Sequence, residues 1–313
     1  RTCRPRRQGG HSPMTILVGY PINRRATAVL SLAGMFARSS GEDLLVCTVV
    51  PAPWMPGLSR ADEGYRSYID ESADSALAQA RADLPSDVSA KFINVHARSA
   101  PSGLVEAAEQ HEASMIAVGS AAAGQFGYIG LSSVAERLLH SSPIPVALAP
   151  RGFRAKGGKV GRVTLAYTGG KQSGALLGAA ETVADKLGAE LRLASFAVQL
   201  SPPETARFRA ESGAVVAEWT ANIRSAAQEA LEGEAERRPV AAEAEFVIGH
   251  GRDWAEAFDD VEWRAGDVLM IGSSESGPVA RVFLGSRAAK IVRHAPVPVV
   301  VVPRAAAKEL AEE

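Results

Sequence analysis

Residues 267–302 read DVLMIGSSESGPVARVFLGSRAAKIVRHAPVPVVVV, and the rest of the chain can be ordered around this stretch. The apolar run 268–271 predicts a buried strand, and the glycine-punctuated segment 272–284 predicts a loop. A helix is predicted over 285–294, and the valine-rich run 296–302 predicts a last strand. The stretch therefore predicts a strand, a loop, a helix and a strand, in that order.

The same pattern occurs earlier, where residues 114–149 read SMIAVGSAAAGQFGYIGLSSVAERLLHSSPIPVALA. A shift of 153 residues superposes this copy on the later one without a gap, so that Gly119 falls on Gly272 and Pro143 on Pro296. A register kept over more than 30 residues is hard to obtain by chance. The chain is therefore an internal duplication.

Each half alternates apolar strands with helices in the order β-α-β-α-β-α-β-α-β. The predicted strands are 15–20, 43–50, 90–96, the run that begins at 114, and 144–149 in the first half, and 160–167, 190–198, 244–248, 268–271 and 296–302 in the second. Asn23, Ser99 and Asp253 are predicted helix N-caps. This alternation indicates a parallel sheet covered by helices on both faces, which is a doubly wound α/β fold.

The predicted organisation is a disordered tail at 1–13, a first domain at 14–150, a linker at 151–160, a second domain at 161–304 and a tail at 305–313. The first 13 residues carry four arginines and no apolar pattern, so they are not a secretory signal; a start extended upstream of Met14 and an electrostatic binding arm are the other hypotheses. In the linker, glycines and cations replace the apolar pattern.

Composition excludes several classes of protein. The net charge of −1 gives no indication of a nucleic-acid binder or a membrane anchor, and the apolar runs are strand-sized, far below the ~20 residues of a membrane span. The two cysteines form neither a disulfide framework nor a metal-binding spacing. We therefore expect a cytoplasmic protein that has no metal site, no nucleic-acid partner and no membrane partner.

The glycine spacing, the helix after it, the final P-x-P-V strand and the duplication together resemble the universal stress protein family, with two domains in tandem. That family carries a loop written G-x2-G-x9-G-[ST] after its fourth strand, and Gly272, Gly285 and Ser286 keep this spacing. The resemblance covers about residues 15–303. It implies two tandem doubly wound domains (Rossmann-like, nucleotide-binding alpha hydrolase-like), each with a five-stranded parallel sheet, that form a pseudo-dimer.

In the family the final strand commonly pairs across a two-fold axis between subunits. Here a linker of about ten residues joins the copies, so we expect the strands 144–149 and 297–302 to pair within one chain. A further homodimer would use other faces.

In nucleotide-binding members of the family this loop binds the phosphates and ribose of ATP. Glycines let a phosphate approach the backbone, and a helix N-terminus supplies unpaired N–H groups and a positive dipole end. The candidate ligand-binding residues are the loop, helix-start and first-strand positions of the two copies: Thr168, Gly272, Gly285, Ser286 and Arg287 in the second, and Gly119, Ser132, Ser133 and Val134 in the first. The alternative hypothesis is that Ser286 and Ser133 are ordinary N-caps and that the glycines make turns.

The loops also depart from the family pattern. Glu275 stands where the second glycine belongs, and Ala122 and Ser132 replace the second and third glycines in the first copy. The acidic residue that contacts the adenine nucleoside at the end of the family's first strand is replaced by Pro21 and Thr168.

Glu275 is the departure with the largest expected effect. A carboxylate ~4 Å from a phosphate charge costs on the order of 4 kcal/mol at an effective dielectric near 20, which is close to a thousandfold in affinity. Arg281, Arg287 and Lys290 are the candidate compensating cations.

Three functions follow from these observations. The first is a non-catalytic stress-response binding or signalling protein with a degenerate nucleotide site. The second is an ATP-binding member that uses the second-domain loop, with Mg and with slow ATP hydrolysis as a weak activity. The third is an interaction scaffold whose crevices are filled by side chains.

Overall fold

The computed structural model describes residues 15–51, 60–156, 158–169, 173–198, 206–235, 239–273 and 285–312. The predicted tail at 1–13 lies outside the described residues. So do Glu275 and Arg281 of the second glycine loop.

The first half contains strands that alternate with helices as the sequence predicts. The strands are β1 (Thr15–Gly19), β2 (Asp43–Pro51), β3 (Ala90–Ala97), β4 (Ala113–Gly119) and β5 (Val146–Ala149). The helices are α1 (Thr27–Ser40), α2 (Arg60–Asp83), α3 (Ala100–Gln110) and α4 (Ser133–Ser141).

The second half repeats this order and adds helices to it. Its strands are β6 (Arg162–Ala166), β7 (Glu190–Val198), β8 (Glu245–Gly251), β9 (Asp267–Gly272) and β10 (Val299–Val302). Its helices are α5 (Ser173–Leu187), α6 (Ala206–Ala235), α7 (Pro239–Ala242), α8 (Trp254–Asp259), α9 (Ser286–His294) and α10 (Arg304–Glu312).

All strands join one sheet in the order β3-β2-β1-β4-β5-β10-β9-β6-β7-β8. Neighbours within each half are parallel, and the winding direction reverses between β1 and β4 and between β6 and β9. The halves meet where β5 pairs antiparallel with β10, with Ala147 opposite Val300. The predicted fold class and the intramolecular pairing of the final strands are therefore confirmed.

Each face of the sheet is covered by one apolar layer that crosses from the first half to the second. One layer takes residues from α1, α2, α5, α6 and α10, including Leu30 and Leu177. The other takes residues from α3, α4, α8 and α9, including Leu138 and Val292. The strands are apolar on both faces because both faces are buried, as expected of a parallel sheet.

Two of the three predicted N-caps are confirmed. Ser99 Oγ accepts the Ser102 N–H at 3.3 Å, and Asp253 Oδ1 accepts the Glu256 N–H at 2.9 Å. The prediction for Asn23 is wrong, because α1 begins only at Thr27 and has no side-chain cap.

The segments predicted as linker and C-terminal tail are ordered where the structure describes them. The linker packs along α1, where the Ala155 and Val160 N–H groups donate to Ser31 Oγ and Ser39 Oγ at 2.7 and 2.8 Å. Residues 305–312, predicted as a tail, belong to α10. The prediction missed this helix because its apolar stripe consists mainly of alanines, with Ala306 and Ala307 buried.

Candidate functional site

A cavity of about 1070 Å³ lies at the carboxyl ends of β6, β9 and β10. This is where ligands bind in open parallel sheets, beside the reversal of winding direction. Five candidate residues of the second copy line it together: Thr168, Gly272, Gly285, Ser286 and Arg287. The structure therefore brings this set to one place, although they come from three separate parts of the chain.

Gly272 ends β9 at the wall of this cavity, and a side chain at this position would crowd the end of Leu176. A Cβ atom at this position would lie 2.8 Å from Leu176 Cδ2, on the helix that covers β6. Real Cβ atoms essentially never approach a neighbour so closely. A larger residue would push Leu176 out of its place in the cavity wall.

Helix α9 starts at the cavity without a side-chain cap. Gly285 is the N-cap and has no side chain to accept a hydrogen bond, and Ser286 is the first residue of the helix. The alternative hypothesis that Ser286 is an N-cap is therefore wrong. Because the first-turn N–H groups of a helix have no intrahelical partner, this end of α9 presents a positive dipole end, and N–H donors that no described side chain caps, to an anion.

The charged side chains among the described lining residues are all cations. They are Arg287 in the first turn of α9, and Arg304 and Lys308 in α10. Lys290, predicted as a compensating cation, is not one of these lining residues. A cavity walled by one sign of charge concentrates ligands of the opposite sign.

The sequence pattern selects neither Arg304 nor Lys308 as a site residue. Lys308 lies in the predicted tail at 305–313, and Arg304 is the last residue of the predicted second domain. The sequence contains a signal that could have identified them. In RAAAKEL, which begins at Arg304, the two cations are four positions apart with three alanines between them. Cations at this spacing lie on one face of a helix, so the segment predicts a short amphipathic helix.

The part of the crevice beside β7 is filled by aromatic side chains. Phe196 stacks on Phe258 with ring centroids 4.2 Å apart, and Trp254 packs against Phe196 at 6.3 Å. The space left among Thr168, Phe196, Trp254 and their neighbours is about 10 Å³. The room for a ligand therefore lies on the β9 and β10 side of Thr168.

In the first copy the equivalent loop is closed by its own hydrogen bonds. Ser120 Oγ accepts the Gly130 N–H at 2.7 Å, and the Ala121 N–H donates to the Gly130 carbonyl at 2.7 Å. Gly124 lies against Gly130, so that a Cβ atom on Gly124 would be 3.1 Å from Gly130 Cα. Arg24 reaches across from the loop after β1 and donates to the Ser120 carbonyl at 2.9 Å.

The same loop is bonded to the start of the linker. The Arg151 N–H donates to the Tyr128 carbonyl, and the Gly127 N–H donates to the Arg151 carbonyl, both at 2.9 Å. Arg151 Nη1 also donates to the Gly124 carbonyl at 2.5 Å. Five N–H groups of this loop, which a phosphate could otherwise use, therefore already have acceptors within the protein: those of Ala121, Gly124, Gly127, Tyr128 and Gly130.

The first-copy candidates lie around this closed loop. Gly119 ends β4, and Ser132 caps α4 by accepting the Ala135 N–H at 3.2 Å. Ser133, the alternative N-cap, is instead the first residue of α4. Val134 packs against an apolar layer. A cavity described in this half, of about 510 Å³, lies instead between the loop after β1 and helix α2, against Arg24 and Gln79.

Within the part of the chain that the structure describes, no helix is long and apolar enough to cross a membrane. The same part contains no group of three or more histidine, cysteine, aspartate or glutamate residues placed to hold a metal ion.

Comparison with known proteins identifies relatives of both halves. The model of the universal stress protein family matches residues 14–150 and again 159–303. A universal stress protein of Mycobacterium tuberculosis is 34% identical over 297 residues, which are 93% of this chain and 100% of that protein.

A solved structure of a universal stress protein shares the fold over both halves of this chain. It is from Archaeoglobus fulgidus and covers 92% of this chain and 98% of its own, at 24% identity and a TM-score of 0.61. A second from Archaeoglobus fulgidus, solved in complex with dAMP, covers 44% of this chain and 97% of its own, at 21% identity and a TM-score of 0.32.

Proposed function

The chain belongs to the universal stress protein family, and we propose that its second domain binds an adenine nucleotide by the phosphates. The first domain would serve as a structural partner with a closed loop. In this proposal the protein senses or signals by binding, and it does not catalyse a reaction.

The observation that carries the proposal is the start of α9. A nine-residue helix with no side-chain cap begins at a cavity of about 1070 Å³ whose described charged lining residues are Arg287, Arg304 and Lys308. A volume of about this size suits a ligand larger than a free phosphate ion. A cation ~4 Å from a phosphate charge gains on the order of 4 kcal/mol before desolvation costs, at an effective dielectric near 20.

The described lining residues also favour binding over hydrolysis. They include no aspartate, glutamate or histidine, which are the side chains that most often act as general bases. The hydroxyl of Tyr167 is already engaged, because it donates to the Ala226 carbonyl at 3.1 Å. Weak ATP hydrolysis with Mg stays the alternative activity.

We also propose a cytoplasmic location, with which the buried free thiol of Cys47 is compatible. A homodimer, if formed, would use faces other than the edges of β5 and β10, since these already pair within the chain.

The test is calorimetric titration of the full chain with Mg-ATP, beside the variant Glu275→Gly. We expect the wild type to bind about one nucleotide per chain. Binding only by Glu275→Gly would mean that this carboxylate closes the wild-type site, and it would overturn the proposal in favour of a degenerate site. Absence of binding by both proteins would leave the interaction scaffold as the better function.

A further inference from the structure

Helix α10 lies just outside the segment that matches the family model, which ends at residue 303. It packs on α5, where Thr182 Oγ1 donates to the Leu310 carbonyl at 2.7 Å and Ala306 and Ala307 are buried. Gly178 of α5 permits this close packing, since a Cβ atom there would be 3.0 Å from Ala311 Cβ. The helix is thus an added element with a fixed position.

One face of α10 forms part of the cavity wall. Arg304, Ala307 and Lys308 line the cavity, and they are neighbours on a helix because they are three and four residues apart. Two like charges at this spacing disfavour an isolated helix. The acidic residues Glu309 and Glu312 are not among the described residues of the wall.

The start of α10 is also bonded to the end of β9. The Arg304 N–H donates to Ser273 Oγ at 3.2 Å, and the Ser273 N–H donates to the Val302 carbonyl at 3.0 Å. Ser273 follows Gly272 directly, so α10 is held beside the loop that leads to α9. The cations of α10 and Arg287 of α9 therefore stand on two different elements around one cavity.

We propose that Arg304 and Lys308 are specificity-determining residues that select ligands with more than one phosphate. One phosphate is held at the start of α9 near Arg287, and the cations of α10 bind the phosphates beyond it. The ligand class is then a nucleoside diphosphate or triphosphate in preference to a monophosphate. This inference rests on the proposed nucleotide site.

The first copy explains why this element belongs to the second domain. Arg151 is the residue that the 153-residue shift places on Arg304. After Arg151 the chain turns at Gly152, with φ at 78°, and enters the linker, and the Arg151 side chain bonds to the closed loop. In the first copy the residues after the last strand run as the linker to β6, whereas in the second copy they form α10.

The test measures the dissociation constants of AMP, ADP and ATP, each with excess Mg²⁺, for the full chain and for Lys308→Gln. Lys308 is exposed, so this variant is expected to fold. We expect ATP affinity to fall about tenfold, since charge-assisted bonds to phosphate are strong, and AMP affinity to change less than about twofold. Lys308→Arg should restore ATP binding to within about threefold, and the double variant Arg304→Gln/Lys308→Gln should lose more than either change alone.

The matched control is Arg293→Gln, which removes a cation from the last turn of α9, away from the described wall of the cavity. It should leave the ATP-to-AMP affinity ratio unchanged. If Lys308→Gln lowers AMP and ATP affinity equally, or lowers neither, α10 does not select phosphate number, while the nucleotide site itself stands. If the wild type binds none of the three nucleotides, the nucleotide site and this inference are both wrong.

Discussion

The two glycine loops begin with the same Gly-Ser pair and use it differently. In the first domain, Ser120 Oγ accepts the Gly130 N–H from its own loop, at 2.7 Å. In the second domain, Ser273 Oγ accepts the Arg304 N–H from α10, at 3.2 Å. The first hydroxyl closes a loop on itself, and the second fixes a neighbouring helix beside an open cavity.

The helices that follow the two loops also differ, in how their N-termini are capped. Ser132 supplies a side-chain acceptor to α4, whereas Gly285 supplies none to α9. Val134 of the first domain and Arg287 of the second occupy equivalent positions in the first turn of these helices. The first domain therefore has an apolar side chain where the second has a cation. One duplicated pattern has thus given a self-bonded loop in the first domain and, in the second, a cavity whose described charged lining residues are cations.

A second contrast between the halves lies at the amino-terminal ends of the strands. In the second domain Asp267 is buried and accepts from Arg162 Nη2 at 2.6 Å, with Arg192 Nη2 at 3.7 Å. Burial, and then the charge of Arg162, lowers the pKa of Arg192 to about 10. In the first domain the residue at the equivalent position is Ser114, which donates to Glu42 Oε2 at 2.7 Å.

The largest effect is expected from Asp267→Asn. Neutralising this carboxylate leaves Arg162 and Arg192 buried without their counter-ion, which should cost about 3–5 kcal/mol of unfolding free energy. Urea unfolding followed by circular dichroism measures it. Ser114→Ala is the matched control in the first domain, and it should cost about 1 kcal/mol. Equal losses of unfolding free energy in the two variants would contradict this contrast between the strand ends of the two domains.

The next largest effect is expected on the ATP affinity of the second domain when Arg287 is changed. Arg287→Gln should lower ATP affinity by about thirtyfold, equivalent to ~2 kcal/mol, because it removes the cation nearest the start of α9. Calorimetric titration measures it. The converse variant Val134→Arg should create no second site, since α4 is capped and its loop is closed. A stoichiometry of two for that variant would show that charge alone separates the domains.

A third comparison pairs Ser120→Ala with Ser273→Ala. Loss of the Ser120 hydroxyl leaves the Gly130 N–H without its acceptor and should cost about 1–2 kcal/mol. Ser273→Ala removes one longer bond and should cost less than ~1 kcal/mol. Urea unfolding gives both values, and amide hydrogen exchange at Gly130 should accelerate only in Ser120→Ala. Faster exchange at Gly130 in both variants would argue against a loop closed by its own serine.

The smallest effect is expected from exchanging the caps. Ser132→Ala should cost about 1 kcal/mol, since α4 loses its N-cap bond. Gly285→Ser should gain a few tenths of a kcal/mol and should weaken ATP binding, because the new hydroxyl competes for the N–H groups of α9. Thermal unfolding and titration measure the two effects. Stronger ATP binding by Gly285→Ser would mean that the phosphates do not contact these N–H groups.

Helix α10 and the aromatic filling beside β7 show where sequence reasoning reached its limit. Ala306 and Ala307 are too weakly apolar for the sequence alone to predict a packed helix. Their burial depends on α5, against which α10 packs in the folded protein. Trp254 and Phe258 are one turn apart on α8, but Phe196 lies far from them in sequence on β7, and only the adjacency of β7 and α8 brings its ring against theirs. Both features change which part of the crevice is open.

The sequence by itself determined the duplication and the doubly wound fold of each half, because hydrophobic periodicity and glycine spacing act over a few residues and repeat at a fixed shift. The family resemblance added the pairing of the final strands and five of the residues that line the second-domain cavity. The tertiary structure alone decided that the first loop is closed, because that depends on bonds such as Arg24 to Ser120, whose partners are 96 residues apart. The tertiary structure also decided that α10 supplies two cations to the cavity. The wall that contains these cations forms only when α5 and β10 have packed together.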